Sequence, residues 1–337
     1  MKIGVILINL GTPDDCKTSS VRRYLKEFLL DPRVIDLPTI VRYVLVYGAI
    51  LPFRPAKSAK AYKEIWTDGE SPLRTHSHEL SQALQQQLGE RYQVALGMRY
   101  GNPSIEHALD QLLPCDQIIA LPLFPQYSSA ATGSAIEQLL KVMGKKWHIP
   151  SIQIIHEFYQ SSAFIDSYAQ IINENMKNKK SFLLFSYHGL PTRHIPKTGC
   201  KETCQGKQAC PTIGATNFSC YRAQCYETSR RLADALSLPQ QQFMTSFQSR
   251  LGKTPWIEPY TEPTLEELYQ KGIRDLTIAC PAFTADCLET IEEIGMQAKE
   301  IWGTLGGTSF TLIPCLNSHP LWVDNLARMI KQKASVG

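Results

Sequence analysis

Short apolar runs alternate along this chain with segments in which Leu and Ala recur at helical spacing. The runs lack a helical period and predict buried strands, whereas the segments between them, such as 76–88 and 105–113, predict helices. Strands that are separated by helices are joined by right-handed crossovers, so we expect βαβ units and parallel sheets. The predicted strands are 3–7, 93–96, 118–121, 152–155, 182–185, 243–246, 277–279 and 311–313.

The number of predicted strands favours two α/β lobes in this chain of 337 residues. Each lobe would be Rossmann-like, with its own parallel sheet flanked by helices. The boundary is predicted within 147–150, which gives an N-terminal lobe of residues 1–150 and a C-terminal lobe of residues 151–319. Residues 320–337 are predicted to form a last helix that packs back on the first lobe.

The formal net charge is +4, and Lys and Arg are scattered along the chain rather than clustered. This distribution argues against a nucleic-acid surface. The N-terminal residues predict a first strand and lack the long apolar region and small-residue cleavage site of a signal peptide. No run approaches the roughly 18 apolar residues of a membrane-spanning helix. We therefore expect a cytoplasmic protein without a nucleic-acid partner.

The longest apolar candidate is the segment 43–53, called the apolar lip below, which lies between Arg42 and Arg54. One interpretation is a buried or groove-lining helix. The other is an exposed lip that meets an apolar substrate or makes shallow contact with a membrane. The second interpretation predicts a protein that is peripheral to the inner membrane.

A histidine stands at the end of the predicted strand 182–185. The sequence SYHGLP, residues 186–191, follows that strand and ends in a turn signal. Ligands of open α/β sheets bind beyond the carboxyl ends of the strands, so His188 is a candidate functional residue. Histidine in general has two ring nitrogens and changes its charge near neutral pH, which suits it to proton transfer or metal binding. A purely structural hydrogen bond is the alternative.

A carboxylate follows the predicted strand 277–279. Residues 284–294 predict a helix, and Glu289 would lie in its first or second turn, near the carboxyl end of that strand. Glu289 and His188 could then face one cleft. A His and a carboxylate together bind a divalent cation or share proton transfer as base and relay.

Two details of this predicted helix stay open. Thr284 or Asp286 is predicted to cap its N-terminus. Glu292 and Glu293 lie one turn from Glu289, so spacing alone does not choose among the three. A solvated helix face is the alternative to a functional site.

Cysteine is unevenly distributed, because half of the ten cysteines lie between residues 200 and 225. The surrounding segment 198–211 is polar, contains Gly and could not order itself by burying a core. Soft thiolates indicate a metal. The spacing C-x3-C-x5-C-x9-C-x4-C fits poorly with the paired thiolates of structural zinc, whereas a [2Fe–2S] cluster tolerates varied spacings of four Cys.

A series of sequence blocks extends over nearly the whole chain. The blocks are 7–13 (LINLGTP), 28–35 (FLLDPRVI), 121–134 (LPLFPQYSSAATGS), 186–191 (SYHGLP), 247–252 (FQSRLG) with 255–256 (PW) and 259–261 (PYT), and 286–290 (DCLET). Any one of them alone would be weak evidence. Together and in this order they resemble the ferrochelatase family, whose members insert ferrous iron into a porphyrin.

The resemblance implies the chelatase fold, with the porphyrin in a cleft between the two lobes. It implies a lyase that inserts Fe2+ into protoporphyrin IX to form protohaem, the last step of haem biosynthesis. A coproporphyrin ferrochelatase, another tetrapyrrole chelatase and a non-catalytic carrier of haem or metal are the alternatives. The presence of His188 and Glu289 argues against a pure carrier, because apolar binding alone needs neither residue.

The resemblance also implies roles for single residues. His188 is the base or a ligand of the iron substrate, and Glu289 is its partner across the cleft. Cys287 stands where animal ferrochelatases carry a His, which weakens any proton relay at that position. The residues implied to contact the opposite porphyrin face are Asn9, Leu10, Tyr127 and Phe283.

Some ferrochelatases resemble this chain in carrying a [2Fe–2S] cluster. In the animal enzymes most cluster ligands lie in a C-terminal extension, whereas the last cysteine here is Cys315. Zinc and unliganded thiols remain alternatives to a cluster. The predicted cluster ligands are Cys200, Cys204, Cys210 and Cys220, with Cys225 as the alternate.

Overall fold

The computed structural model describes residues 2–67, 69–200, 209–250, 252 and 254–335. The eight strands predicted from the apolar runs are confirmed, most of them with one to several more residues than predicted. Their bounds are β1 Ile3–Thr12, β2 Tyr92–Gly101, β3 Gln117–Pro122, β4 Ser151–Ile154, β5 Phe182–His188, β6 Phe243–Gln248, β7 Asp275–Ala279 and β8 Ser309–Leu312.

Helices connect these strands. The α-helices of the described ranges are α1 Thr18–Leu29, α2 Thr39–Leu45, α3 Arg54–Ile65, α4 Pro72–Leu88, α5 Ile105–Leu112, α6 Ser134–Met143, α7 Ser162–Asn175, α8 Tyr221–Ala235, α9 Thr261–Gln270, α10 Lys299–Leu305 and α11 Pro320–Ser335. Further segments are π-helical, at Val46–Ile50, Ser129–Gly133 and Glu289–Ala298, or form short 3₁₀ turns, at Thr192–His194, Pro196–Thr198 and Gln240–Gln242.

The chain divides into two compact units. The first comprises Met1–Phe124, Ser128–Glu157 and Asn317–Gly337, and the second comprises Pro125–Tyr127 and Phe158–Leu316. Each unit contains one four-stranded parallel sheet. The predicted α/β architecture with two parallel sheets is therefore confirmed, while the predicted division after residue 150 stays a prediction about domains.

The first unit is built on the sheet order β2-β1-β3-β4. Leu7 of β1 pairs with Leu96 of β2 on one side and with Leu121 of β3 on the other. β3 is buried along its whole length, as a strand of a parallel sheet covered by helices should be. Its core consists of aliphatic side chains from β1, β3, α5 and α6.

The second unit repeats this order as β6-β5-β7-β8. Tyr187 of β5 pairs with Phe247 of β6, and Phe185 of β5 pairs with Ala279 of β7. The core on one face is formed by buried side chains of β5, β7, α9 and α10, among them the fully buried Trp302.

The strand order determines where a ligand can bind. In each sheet the first strand lies between the second and the third, so successive connections leave in opposite directions. A crevice forms at such a switch point, beyond the carboxyl ends of the two strands concerned. In the second unit these strands are β5, which ends at His188, and β7, which leads toward Glu289.

The apolar lip has an exposed apolar face. Val44 is 68% exposed and Phe53 is 77% exposed, whereas Val46 is fully buried. Arg42 turns inward and donates a hydrogen bond to the carbonyl oxygen of Leu37 at 3.0 Å. The apolar lip is therefore not buried along its whole length, and its roles as a groove-lining helix or as an exposed lip stay predictions that are compatible with each other.

Among the described residues, we find no helix with the length and apolar character needed to cross a bilayer.

Candidate active site

His188 is the last residue of β5, and its side chain is half-buried. The ring Nδ1 donates a hydrogen bond to the carbonyl oxygen of Gly189 at 2.6 Å. A neutral imidazole that donates through Nδ1 carries its lone pair on Nε2. The ring centroid lies 6.4 Å from that of Trp256 and 6.3 Å from that of Phe283. His188 thus offers Nε2 as a base or metal ligand beside aromatic rings.

Gly189 fixes the end of β5. Its amide donates to the carbonyl oxygen of Gln248 in β6 at 2.7 Å. A Cβ at position 189 would lie 2.9 Å from that oxygen and 3.2 Å from Cε3 of Trp256. Any larger residue would have to displace backbone, so only glycine allows this close approach. The close approach holds the peptide that follows His188 against β6.

Two glutamates of one π-helical segment belong to the same site. Glu289 is the first residue of this segment, and Glu293 follows one turn later; both are half-buried. Gln248 donates from Nε2 to the carbonyl oxygen of Glu289 at 2.7 Å. Ser249 donates to Glu293 from its amide, at 2.7 Å, and from its hydroxyl. π-Helical turns are rare in proteins overall, but many of those that occur lie at functional sites, which fits this location.

Ser249, which follows β6, has a strained backbone. Its φ of 62° lies in the left-handed region, which is unfavourable for a residue with a Cβ. Such strain persists where neighbouring contacts determine the conformation, and here the two bonds to Glu293 do so. The end of β6 is therefore held in place by the carboxylate.

The electrostatics connect the three titratable groups. Burial raises the pKa of Glu293 above its ordinary value of 4.5. Hydrogen bonds from Ser249 and the charge of His188 oppose this effect, while the charge of Glu289 adds to it. The pKa of Glu293 thus responds to both predicted catalytic residues. A carboxyl group with a raised pKa holds its proton to higher pH and can exchange it with neighbours.

The thiol of Cys287 contacts the carboxylate of Glu289. Burial raises the pKa of the Cys287 thiol, and the charge of Glu289 together with a hydrogen bond to its carboxylate raises it further. The thiol is therefore a donor to Glu289. The sulfur occupies the position at which the resemblance implied a histidine in the animal enzymes.

Asp286 has a structural role that the sequence did not predict. The helical segment begins at Glu289, its N-cap residue is Leu288, and no side chain caps it. Neither Thr284 nor Asp286 is the N-cap, so that prediction is wrong. Asp286 is buried and instead accepts from the hydroxyl of Thr290 at 3.0 Å and from the amide of Cys315 at 3.2 Å. These bonds fix the position of Asp286 just before the helical segment.

Two of the predicted porphyrin contacts lie in the second unit. Phe283 is half-buried and meets the His188 ring in an edge-on arrangement. Tyr127 is half-buried, and its amide donates to Oε1 of Gln224 at 2.7 Å. Phe283 is thereby brought next to His188, and contact of either Phe283 or Tyr127 with a porphyrin stays a prediction.

The other two predicted contacts lie in the first unit, near the end of β1. Asn9 is buried and donates from Nδ2 to the hydroxyl of Ser77 at 3.1 Å. Its Oδ1 accepts from the amide of Leu10 at 2.8 Å. The side chain of Leu10 is half-buried. A role of these residues in porphyrin binding also stays a prediction.

The cysteine-rich segment brings several sulfurs together. Burial raises the pKa of Cys210, and the nearby Cys220 and Cys200 raise it further. Burial also raises the pKa of Cys225, with added effects from Cys220 and Cys210. All four side chains are at most 4% exposed, whereas Cys204 lies outside the described residues.

A buried cation faces this cysteine set. Arg222 is 1% exposed, and its Nη1 donates to Sγ of Cys210 at 3.0 Å. The charge and hydrogen bond of Arg222 lower the pKa of Cys210 and so oppose the effect of burial, and the thiolate is the form that binds metal. Among the described residues, which do not include 201–208, no three His, Cys, Asp or Glu side chains are arranged to hold a metal ion. The donor chemistry therefore fits a thiolate-bound metal, although the described residues alone form no assembled site.

Sequence reasoning did not single out the residues that hold the two glutamates. Gln248 and Ser249 connect β6 to the segment of Glu289, yet neither was a predicted site residue. The block 247–252 contains both and was the available signal. Glu293 was left as one of three equivalent glutamates because helical spacing does not report burial.

Comparisons with known proteins agree with this fold. The family model described as Ferrochelatase matches residues 2–334. A ferrochelatase of Legionella pneumophila (strain Lens) is 53% identical over 333 residues, which are 99% of this chain and all of that protein. A ferrochelatase of Coxiella burnetii (strain CbuK_Q154) is 50% identical over 335 residues, covering 98% of this chain and 94% of that protein.

Among solved structures, SirB from Bacillus subtilis with Fe3+ matches 99% of this chain and 96% of its own, with a TM-score of 0.50 and 10% identity. At this identity the likeness concerns the fold alone. The family model and the two relatives cover nearly the whole chain, including the blocks that carry His188 and Glu289. The chain therefore belongs to the ferrochelatase family.

Proposed function

We propose that this protein is a lyase that inserts Fe2+ into protoporphyrin IX and forms protohaem, the last step of haem biosynthesis. The observation that carries the proposal is the cluster of His188, Glu289 and Glu293 at the switch point of the second sheet. In a chain of the ferrochelatase family this cluster supplies a base and carboxylates at one place. The alternative of a non-catalytic carrier gains no support from relatives that are named as the enzyme.

Metal insertion faces two barriers. The hydrated ferrous ion must lose water, and two pyrrole N–H groups must lose their protons. A bent porphyrin exposes nitrogen lone pairs to the metal, so a site that fits the bent ring stabilises the transition state. Iron and the porphyrin are both substrates in this scheme.

His188 is the base in our proposal. Its Nδ1 is occupied by the bond to Gly189, so Nε2 accepts a pyrrole proton or binds the iron substrate. The developing imidazolium would be stabilised by the carboxylates of Glu289 and Glu293, which lie in the same electrostatic cluster. Glu289 would also balance the charge of the incoming ferrous ion. The raised pKa of Glu293 suits it to pass protons onward.

The residues proposed to meet the porphyrin are Asn9, Leu10, Tyr127 and Phe283. Phe283 is supported by its edge contact with the His188 ring, because an aromatic face beside the base suits a flat apolar macrocycle. Phe283→Ala should raise the KM for the porphyrin more than it lowers kcat. An unchanged KM would contradict its assignment.

The main experiment is an anaerobic assay with ferrous iron, in which the absorption change of the porphyrin is followed. Protoporphyrin IX and coproporphyrin are offered separately. We expect haem formation with protoporphyrin and its loss in His188→Ala. A higher kcat/KM with coproporphyrin would instead favour the coproporphyrin enzyme. Porphyrin binding without turnover in both proteins would contradict the enzyme and support a carrier.

We further propose that the cysteine set holds a [2Fe–2S] cluster, with Cys200, Cys204, Cys210 and Cys220 as ligands and Cys225 as the alternate. Buried sulfurs that influence one another and a guanidinium that faces Cys210 support this proposal. Such a cluster supplies a redox-active centre and cross-links a segment that is too polar to form its own core. Zinc at the same sulfurs is the alternative.

The as-purified protein distinguishes the metals. A [2Fe–2S] cluster gives visible absorption, iron and acid-labile sulfide, whereas zinc gives a colourless protein with one metal per chain. Cys204→Ser should abolish the cluster signal and lower stability or activity, and Cys16→Ser, at a half-buried cysteine outside the set, is the control. A Cys204→Ser protein that loses the cluster but keeps both stability and activity would contradict any supporting role of the cluster.

We also propose that the protein works in the cytoplasm, peripheral to the inner membrane, with the apolar lip as the point of contact. The exposed side chains of Val44 and Phe53 support this. Replacing both with Ser should reduce cosedimentation with phospholipid vesicles, while Trp147→Ser serves as a control at an exposed aromatic residue elsewhere. Equal binding of the lip variant and the unmodified protein would contradict the proposal.

A further inference from the structure

The first residue of helix α8 contacts the catalytic strand. Tyr221 directly follows Cys220 and is 6% exposed. Its hydroxyl donates a hydrogen bond to the carbonyl oxygen of His188 at 2.8 Å. The cysteine-rich segment and the end of β5 are therefore linked by one side chain.

The same hydroxyl contacts a cysteine of the set. Cys225 lies four residues after Tyr221, on the same helix face, and is fully buried. Its thiol forms a hydrogen bond with the Tyr221 hydroxyl. The Tyr221 hydroxyl has one proton to donate, so the His188 carbonyl oxygen and the Cys225 sulfur compete for it as acceptors.

The peptide that joins His188 to Gly189 is held at both ends. Its carbonyl oxygen accepts from Tyr221, and its amide donates to Gln248 of β6 at 2.7 Å. The peptide is planar, so these two bonds set its orientation as a unit. The next carbonyl, that of Gly189, accepts from the His188 ring. A rotation of this peptide would therefore change the direction in which Nε2 points.

We propose that Tyr221 is a positioning residue for His188: its hydroxyl fixes the peptide after His188 and thereby directs the ring. Because Cys220 precedes Tyr221 and Cys225 contacts it, a ligand that is held by these cysteines shares a support with the base. This inference rests on the proposed function only for its kinetic consequence, since the geometry of His188 is measurable without turnover.

Tyr221→Phe removes the hydroxyl and leaves the ring. We expect kcat to fall about three- to tenfold, the effect of one lost hydrogen bond, with the KM for the porphyrin unchanged. The ring Nδ1–H of His188 gives a downfield proton resonance in the NMR spectrum, assigned by its absence in His188→Ala. This resonance should shift in Tyr221→Phe while the thermal midpoint stays close to that of the unmodified protein.

Tyr168→Phe is the matched control. Tyr168 is fully buried in the same unit, and its hydroxyl has no hydrogen-bond partner among the described residues. This variant should leave kcat and the His188 resonance unchanged.

The outcomes separate the two proposals. A Tyr221→Phe protein with unchanged kcat and an unchanged His188 resonance overturns the positioning role. A variant whose KM, midpoint and many resonances all change also overturns it, because the hydroxyl would then support the fold in general. If the unmodified protein shows no turnover but the His188 resonance still shifts in Tyr221→Phe, the proposed function fails and the positioning of His188 stands.

Discussion

Two carboxylates, one in each unit, occupy opposite environments. Asp31 in the first unit is 7% exposed and accepts from Arg99 at 2.6 Å, from the hydroxyl of Tyr100 at 2.8 Å and from Ser134. Burial alone would raise the pKa of Asp31, but hydrogen bonds from Ser134, the Arg33 amide and Tyr100, with the charge of Arg99, bring it below its usual value of 3.8.

Glu293 in the second unit has fewer compensating partners. It accepts from Ser249, but a second carboxylate, Glu289, lies in the same cluster, and its pKa is raised rather than lowered. The comparison teaches that a buried carboxylate stabilises a fold only when cations and donors compensate its charge. Where the charge is left partly uncompensated, the group stays able to take up and release a proton.

The largest effect is expected for His188, whose charge influences the pKa of Glu293. His188→Ala should lower kcat by about two to four orders of magnitude, the usual contribution of a positioned base. The free energy of unfolding should change little, because the ring is half-buried and bonds only locally. A steady-state assay and urea denaturation on the same preparations measure both. Activity close to that of the unmodified protein would remove His188 from the mechanism and weaken the contrast.

Asp31→Asn should have the opposite effect, a loss of stability rather than a loss of kcat. It leaves Arg99 without its carboxylate and should lower the free energy of unfolding by about 3 kcal/mol at pH 7. A lowered pKa means that the stabilisation is present above the unfolded value, about 3.9, and is lost as the pH falls through the folded pKa. The difference between the two proteins should therefore shrink only below about pH 4. A constant difference across that range would show that the charge of Asp31 contributes nothing.

Two serines allow a matched test. Ser134 donates to Asp31 and Ser249 donates to Glu293, each through its hydroxyl. Ser134→Ala should cost about 1.5 kcal/mol, as expected for a bond to a charged group, with no loss of kcat. Ser249→Ala should cost less stability but lower kcat, because Glu293 loses a donor and its pKa rises further. Equal stability costs in urea denaturation would contradict the distinction between the two carboxylates.

The smallest effect concerns Glu293 itself. Its raised pKa means that ionisation costs stability as the pH rises through that value, a cost that Glu293→Gln does not have. At pH 8 the variant should gain less than about 1 kcal/mol, or about 2 °C in thermal midpoint. This gain should vanish below about pH 4.5, the ordinary pKa of the group, where Glu293 is protonated in both the folded and the unfolded protein. Thermal scans across pH test this, and a gain that grows toward low pH would contradict the raised pKa.

The sequence was most reliable for the strands. Apolar runs without helical period marked all eight, because strands of a parallel sheet are buried on both faces and need apolar residues at successive positions. The start of the helical segment that contains Glu289 was less predictable. Residues 284–288 carry a capping pattern, but Asp286 is bound by Thr290 and Cys315, which no local pattern reveals.

The sequence by itself determined the α/β class, the two parallel sheets, the family and the placement of His188 at a strand end, because these follow from periodicity and from blocks of neighbouring residues. Only the tertiary structure decided that Glu293 joins Glu289 in the cluster with His188, that Ser249 holds Glu293, and that Tyr221 binds the His188 carbonyl. Those contacts join residues far apart in the chain, and their energies depend on burial and distance, which spacing along a sequence does not contain.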